Sequence, residues 1–100
     1  LRKYFTTLRS DFISEIHQSG LNSIAEIIER LSGTYFCLKV RTDLTMEDII
    51  AKAEQQRIRL NFYKEADLYE AGTCILIINY ANLLPDEVSE TVHRLCQIFL

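Results

Sequence analysis

Apolar residues recur every three or four positions through the first eighteen residues, which is the spacing of one face of an α-helix. The stripe consists of Phe5, Leu8, Phe12 and Ile16. Gly20, which follows the stripe, is a natural helix terminator because glycine adopts a left-handed backbone without strain. The pattern predicts a helix over residues 1–18.

Two more helices are predicted further along the chain. Thr45 is followed three residues later by Asp48, which is typical of a helix N-terminus. The residues that share one side of this second helix are Met46, Ile49, Ile50 and Ala53. Pro85 opens the last predicted helix, because its fixed φ suits a first turn and the acidic residues after it favour a helix N-terminus. The apolar stripe of that helix consists of Val88, Val92, Leu95, Cys96 and Phe99.

Three other segments have the pattern of β-strands. Residues 36–41 alternate between apolar and less apolar positions, which predicts a strand with one buried face. Residues 58–62 alternate in the same way and predict a half-buried strand. Residues 74–78 are apolar at every position, which is typical of a central strand covered on each side. The polar residues 64–72 predict a loop before that strand.

Residues 21–31 fit two structures. Ser23 with Glu26 resembles a capping box, and the apolar residues of the segment lie at helical spacing, so the local pattern favours a short helix. Those apolar residues are Ile24, Ile27, Ile28 and Leu31.

Composition narrows the class of protein. The 100 residues are 48% hydrophobic and 25% charged, the balance of one soluble domain. The net charge of -3 argues against a standing nucleic-acid surface. No apolar stretch approaches the roughly 20 residues of a membrane span, and no signal segment opens the chain, so a cytoplasmic location is expected. The three cysteines lack the spacing of a zinc or disulfide site, and we expect them to be buried thiols.

No cluster of residues indicates an active site by itself. The isolated glycines exclude a glycine-rich phosphate loop. Neither His17 nor His93 has a nucleophile or an orienting group near it in the sequence. Glu26 and Glu29 are better explained as part of a solvated face, and Asp86 and Glu87 as part of a helix start. The arginines Arg41, Arg57 and Arg59 are better explained as residues of an exposed face. The sequence therefore predicts no catalytic, cofactor-binding or metal-binding residue in this chain.

Three segments do carry a resemblance to a known family. They are AEII at residues 25–28, SGTYFCLKV at residues 32–40, and INYANL at residues 78–83 before an acidic helix start. Together they resemble the C-terminal small domain of fold-type I aminotransferases, which use pyridoxal phosphate. The resemblance is strongest to the MocR subgroup, in which a GntR-type winged-helix DNA-binding domain precedes an aminotransferase-like domain, and it covers the chain nearly end to end.

This resemblance implies a strand at residues 25–29, against the helical reading of that segment. The expected fold is then an α+β two-layer sandwich of order α-β-β-α-β-β-α, with a small, mostly antiparallel sheet covered by helices. The chain opens directly on an apolar helix, without Met or a capping residue. We therefore expect residues 1–100 to be one domain, the C-terminal small domain of a longer aminotransferase-like chain.

The resemblance also implies where a substrate cleft would lie. The residues expected nearest to it are Ser32, Gly33, Thr34, Tyr35, Ile77 and Asn79. The Schiff-base lysine of the family lies in the large domain, and no lysine of this chain occupies a matching motif, so we expect no covalently bound cofactor here; the lysines are Lys3, Lys39, Lys52 and Lys64. Aminotransferases usually place a carboxylate-binding arginine three residues before the aromatic residue that ends the strand. Ile77 occupies that position, which favours a regulator that senses a cofactor or an amino compound.

The function implied is that of one wall of a cleft in a transcriptional regulator that depends on pyridoxal phosphate. Its expected partners are the large domain of the same chain and an amino-compound effector or substrate, with DNA bound only through a separate N-terminal domain. The parent protein is expected to be a homodimer without membrane attachment. Two alternatives stay open: a standalone α+β module for ligand sensing or protein interaction, and the small domain of an ordinary class I/II aminotransferase.

Overall fold

The computed structural model describes residues 2–29, 33–63 and 71–100. Its elements are α1 (Arg2–Gln18), β1 (Ala25–Ile28), β2 (Tyr35–Arg41), α2 (Met46–Gln55), β3 (Asn61–Phe62), β4 (Thr73–Asn79) and α3 (Val88–Phe99). Short 3-10 turns at Gly20–Ser23 and Pro85–Glu87 lead into β1 and α3. This order confirms the predicted α+β class and the α-β-β-α-β-β-α succession of elements.

The four strands form one sheet in the order β1-β2-β4-β3, and every neighbouring pair is antiparallel. The long strands β2 and β4 lie in the centre. Their register pairs Tyr35 with Asn79 at one end of the sheet and Arg41 with Thr73 at the other. β4 is therefore an interior strand, as its apolar character on both faces predicted.

Three α-helices cover one face of this sheet, which we call the first face. It carries Phe36, Leu38 and Val40 of β2, and these side chains belong to the same buried core as the inward stripes of the helices. The helical side chains in that core are Leu8, Phe12, Ile16, Ile49, Ala53, Val88, Val92, Leu95 and Ile98. Helices on one layer and strands on the other make the predicted two-layer sandwich, and burial of apolar surface between them is its main source of stability.

Local sequence sets the starts of two helices. The Thr45 hydroxyl accepts a hydrogen bond from the Asp48 N–H at 3.1 Å, which caps α2 as predicted. Before α3, the chain first makes a 3-10 turn at Pro85, and a carboxylate oxygen of Glu87 accepts the Leu84 N–H at 2.8 Å. Pro85 and Glu87 thus stabilise a 3-10 turn, and α3 begins directly after it.

The ambiguous segment resolves into a turn and a strand. Leu21 is fully buried within the 3-10 turn. The Ser23 hydroxyl donates to the Gly20 carbonyl at 2.9 Å, so it does not form the capping box that the local pattern suggested. Residues 25–28 then pair with β2. The strand implied by the family resemblance is confirmed, and the helical reading is wrong because pairing with β2 outweighs a local period.

The predictions for α2 and for the strand at residues 58–62 are confirmed only in part. Met46 and Ile50, predicted to face the core, are each 45% exposed, while Ile49 and Ala53 of the same helix are buried. Only Asn61–Phe62 of the predicted strand at residues 58–62 pairs with a neighbour. Ser32 and most of the predicted loop at residues 64–72 lie outside the described residues. Within the described part of the chain, no helix has the length and apolar character to cross a membrane.

Candidate functional site

The sheet face opposite the helices, which we call the second face, carries three of the predicted cleft residues, Tyr35, Ile77 and Asn79. Strand alternation places on it the side chains that point away from the first face. They are Glu26, Ile28, Tyr35, Cys37, Lys39, Arg41, Asn61, Thr73, Ile75, Ile77 and Asn79. The helices α1, α2 and α3 all pack on the first face. The second face is therefore the sheet surface on which none of the three α-helices packs.

Hydrogen bonds join the start of β2 to the end of β4. The Tyr80 N–H donates to the Thr34 carbonyl at 2.9 Å. Asn79 Oδ1 accepts the Ala81 N–H at 2.9 Å and lies 3.4 Å from the Thr34 hydroxyl, which donates to it. Two predicted residues that are far apart in sequence, Thr34 and Asn79, are thus brought together.

The turn before β2 also depends on its residue types. Gly33 has a φ of +88°, a left-handed conformation that favours glycine. A Cβ atom at this position would lie 3.3 Å from two ring carbons of Tyr35. The close approach fixes the entry of the chain into β2 and places Tyr35 opposite Asn79, at the same end of the second face.

Tyr80 anchors this end from the other side of the sheet. Its side chain is 3% exposed, and its ring lies 6.2 Å from that of Phe36 within the first-face core. Because Tyr80 is held in the core, the neighbouring Asn79 projects on the second face. The aromatic residue that ends the strand is therefore structural, and it positions the exposed amide beside it.

Ile77 lies in a row of side chains that crosses the sheet. The strand registers align Ile28, Cys37, Ile77 and Asn61, one from each strand. Cys37 at the centre of the row is fully buried, Ile77 is partly exposed and Asn61 is exposed. The row is apolar in the middle and carries an amide at the β3 edge.

The other end of the second face is charged. Glu26 lies opposite Lys39, and a cavity of about 330 Å³ is lined by these two residues together with Arg41 and Thr73. An Arg41 guanidinium nitrogen donates to the Ser23 carbonyl, which holds the side chain against the turn before β1. No local motif in the sequence indicates this cavity, because it depends on the β1–β2 register.

The remaining candidates stay apart from this site. His17 and His93 are exposed on helices, and the described residues contain no group of three metal-ligating side chains. Arg41 lies at the Thr73 end of the sheet, whereas Arg59 precedes β3 at the Asn79 end, about 20 Å away along the strands. Arg57, in the turn after α2, has its carbonyl bonded by Arg94. The arginines therefore do not form one anion site.

The cysteines are free thiols and are buried or partly buried, as expected. Cys74 lies in the first-face core, and burial raises the pKa of its thiol to about 11. A thiol with this pKa is neutral near pH 7 and is a poor nucleophile. Cys74 therefore belongs to the core of the domain.

Three of the four lysines of the chain lie within the described residues, and Lys64 lies outside them. Lys3 and Lys52 are exposed on the helices. Lys39 lines the cavity at the charged end of the second face, four residues along β2 from Tyr35.

No protein-family model matches the chain, and no curated protein is significantly similar to it. A function for this chain is therefore inferred from the geometry of the second face and from the residue pattern of the strands that form it.

Proposed function

We propose that this chain is the C-terminal small domain of an aminotransferase-like protein that depends on pyridoxal phosphate, of the MocR type of transcriptional regulator. In that protein the second face, at its Thr34–Asn79 end, forms one wall of the cofactor and substrate cleft. The observation that carries the proposal is the meeting of Gly33, Thr34, Tyr35, Ile77 and Asn79 at one end of a sheet face on which none of the three α-helices packs.

The arrangement suits a wall that moves as a unit. The first-face core ties the sheet to three helices, so closure of the domain would carry the Thr34–Asn79 end without changing its internal hydrogen bonds. Closure over a bound amino compound would exclude water and orient the compound against the large domain. The residues of this chain would do this by contact, through the Ile77 side chain and the amide of Asn79.

Pyridoxal phosphate, when bound to the parent protein, supplies an electron sink for reactions of amino compounds. Its covalent attachment belongs to a lysine of the large domain, outside this chain. In a regulator, binding of an amino compound would favour the closed domain arrangement and so change DNA affinity through a separate N-terminal winged helix. We expect such a protein to be a cytoplasmic homodimer.

Peptide mapping of the native polypeptide tests the proposal. An antibody against residues 1–100 would isolate the polypeptide from its source cells, and mass spectrometry would give its mass. Borohydride reduction with pyridoxal phosphate would then fix the cofactor to its lysine. We expect a polypeptide several times heavier than 11.6 kDa, with a single adduct on a lysine outside this segment. A stoichiometric adduct on Lys3, Lys39, Lys52 or Lys64 would contradict the assignment.

A second candidate function is a standalone module for ligand sensing or protein interaction. The partly exposed Ile28 and Ile77 on the second face favour it, because apolar side chains left exposed away from the main core are typical of a partner-binding surface. A native mass near 11.6 kDa would support this candidate and exclude the first. The small domain of an ordinary aminotransferase differs from the first candidate only by the absence of an upstream winged helix, which the same peptides would reveal.

A further inference from the structure

We propose that the outer edge of β3 pairs with the same edge of a second copy of this chain, which joins two four-stranded sheets into one. The contact involves residues 58–62, which we call the β3 edge, and the exposed side of α2. It goes beyond the function proposed above, because it concerns an edge of the sheet and not the wall of a cleft.

The β3 edge is extended over more residues than pair with β4. Ile58, Leu60 and Phe62 all pack against the first-face core, so alternate side chains point to the same side, as they do in a strand. The sequence pattern of residues 58–62 predicts the same strand. Only Asn61–Phe62 pairs with β4, so this segment has the conformation of a longer strand than its one neighbour uses.

The backbone of the β3 edge carries hydrogen-bonding groups on its outer side. The Tyr63 N–H donates to the Ile75 carbonyl at 2.8 Å, so Tyr63 bonds inward to β4. Alternation then directs the N–H and C=O of Phe62 outward, and those of Leu60 with them. β3 is the last strand of the sheet, and within residues 2–29, 33–63 and 71–100 these outward groups have no hydrogen-bond partner. Unpaired edge groups of this kind are a template for another strand.

A two-fold axis at Asn61 makes these outward groups complementary to themselves. It places Leu60 of one copy opposite Phe62 of the other in antiparallel orientation, and residues paired in this way exchange both of their backbone hydrogen bonds. The outward groups of both residues are then satisfied in both copies. An axis perpendicular to the sheet also keeps the helices of the two copies on one side, so the two α2 helices lie next to each other.

The exposed side of α2 supplies apolar surface for this contact. Met46 and Ile50 lie one turn apart on the helix, and each is 45% exposed. Beside Ile50, a groove of about 400 Å³ separates α2 from Leu60 and Phe62 of the β3 edge. Neighbouring apolar side chains left in water are typical of an interaction surface, and the α2 helix of a second copy would cover them.

The charges of the groove suit a second copy. Its lining includes one carboxylate, Glu54 on α2, and one guanidinium, Arg59 on the β3 edge, and both residues are exposed. A symmetric copy brings both signs of charge to the shared groove, so the surface is complementary to itself. A partner of one charge sign would meet attraction at one of these residues and repulsion at the other.

Sedimentation equilibrium of the chain tests the contact. We expect a reversible dimer with a Kd of roughly 1–100 μM, as is typical of a small interface. Hydrogen exchange of the Phe62 amide should slow as the concentration rises through this range, because the outward N–H gains a partner. A single species of 11.6 kDa up to about 1 mM would overturn pairing with a second copy and leave the edge to a different chain.

Two variants show whether the dimer uses this edge. Leu60→Pro removes an outward N–H that has no partner in the monomer, and proline is tolerated on edge strands, so the variant should fold and dimerise at least about tenfold more weakly. Ile50→Lys, at an exposed position of α2, should weaken the dimer similarly and decides the matter if the proline variant does not fold. Leu84→Lys, at a position 59% exposed before α3, is the matched control and should dimerise normally. A dimer that survives both edge variants, or that Leu84→Lys weakens equally, would overturn the assignment of the interface.

Discussion

Phe12 of α1 and Phe36 of β2 pack edge to face, with their ring centroids 5.4 Å apart. Both side chains are fully buried, and the pair joins the first helix to the centre of the first face. Tyr80 also packs near Phe36, with the ring centroids 6.2 Å apart, so the aromatic cluster extends to the end of β4 that carries Asn79. The position of the candidate site thus depends on packing that begins in the first helix.

Replacement of Phe12 should therefore strongly destabilise the fold. We expect Phe12→Ala to lower the free energy of unfolding by about 3–5 kcal/mol, because a large cavity opens and the aromatic contact is lost. Urea denaturation followed by circular dichroism measures the change. Tyr4→Ala, on the same helix at a position 43% exposed, is the control and should change stability little. Similar losses in the two variants would contradict the packing described.

Loss of the α2 cap should destabilise the fold less than loss of the Phe12 side chain. Thr45→Ala removes the side-chain acceptor of the Asp48 N–H and should cost about 1 kcal/mol. Thr45→Ser keeps a hydroxyl at the same place and should be nearly neutral. Equal destabilisation by the two substitutions in urea denaturation would show that the methyl group, and not the hydrogen bond, matters.

Adjacent residues of β4 should respond differently to the same charge. Ile78 is buried in the first-face core, so Ile78→Arg should lower the free energy of unfolding by about 4 kcal/mol or more, which would abolish the cooperative folding transition. Ile77 is partly exposed on the second face, so Ile77→Arg should cost about 1 kcal/mol and leave a cooperative transition. Thermal denaturation of both variants checks this order. Unfolding of the Ile77 variant alone would show that the wall is enclosed.

The fold should tolerate replacement of the Asn79 amide by a carboxylate but not removal of the side-chain acceptor. Asn79→Ala deletes the acceptor of the Ala81 N–H and should cost about 1 kcal/mol. Asn79→Asp retains an acceptor oxygen there and should preserve most of the stability. Hydrogen exchange of the Ala81 amide gives a local readout: we expect faster exchange in the alanine variant alone, and equal exchange rates in the two variants would contradict the bond.

The Cys74 thiol should make stability depend on alkaline pH. Its pKa is about 11 in the folded chain and near the ordinary value of 9.0 when unfolded, so between these values the unfolded chain has lost a proton that the folded chain keeps. The contribution of this thiol to stability is complete below pH 9 and declines as the pH rises towards 11. Urea denaturation across this range should show a shallower decline for Cys74→Ala than for the unmodified chain. Parallel pH profiles would mean that the thiol is not desolvated.

The elements with a strong local signal were predictable from sequence. The Phe5–Ile16 stripe of α1, the Thr45 cap and the continuous apolar character of β4 each depend on residues close together in the chain. Residues 25–28 were not predictable from their own pattern, because Ile27 and Ile28 fit a helix until β2 supplies partners for them. The outward orientation of Met46 and Ile50 follows from the packing of α2 at the edge of the core, which its apolar residues do not encode.

The candidate site was likewise predictable from the sequence only in part. Thr34 and Asn79 meet only because β2 and β4 adopt one particular register, which involves residues 45 positions apart. The sequence supplied their residue types, and the resemblance supplied the expectation that they share a cleft. The charged cavity around Lys39 and Arg41 had no sequence signal, since it combines one turn with the ends of three strands.

Side chains along β4 alternate between the two faces of the sheet, which separates the positions that can vary from those that form the core. Cys74, Leu76 and Ile78 serve the core, whereas Ile75, Ile77 and Asn79 face the other way. Substitutions at Ile77 therefore change the second face and leave the core side chains of the first set in place. Variation along this single strand can be sorted by position into changes of the core and changes of the opposite surface.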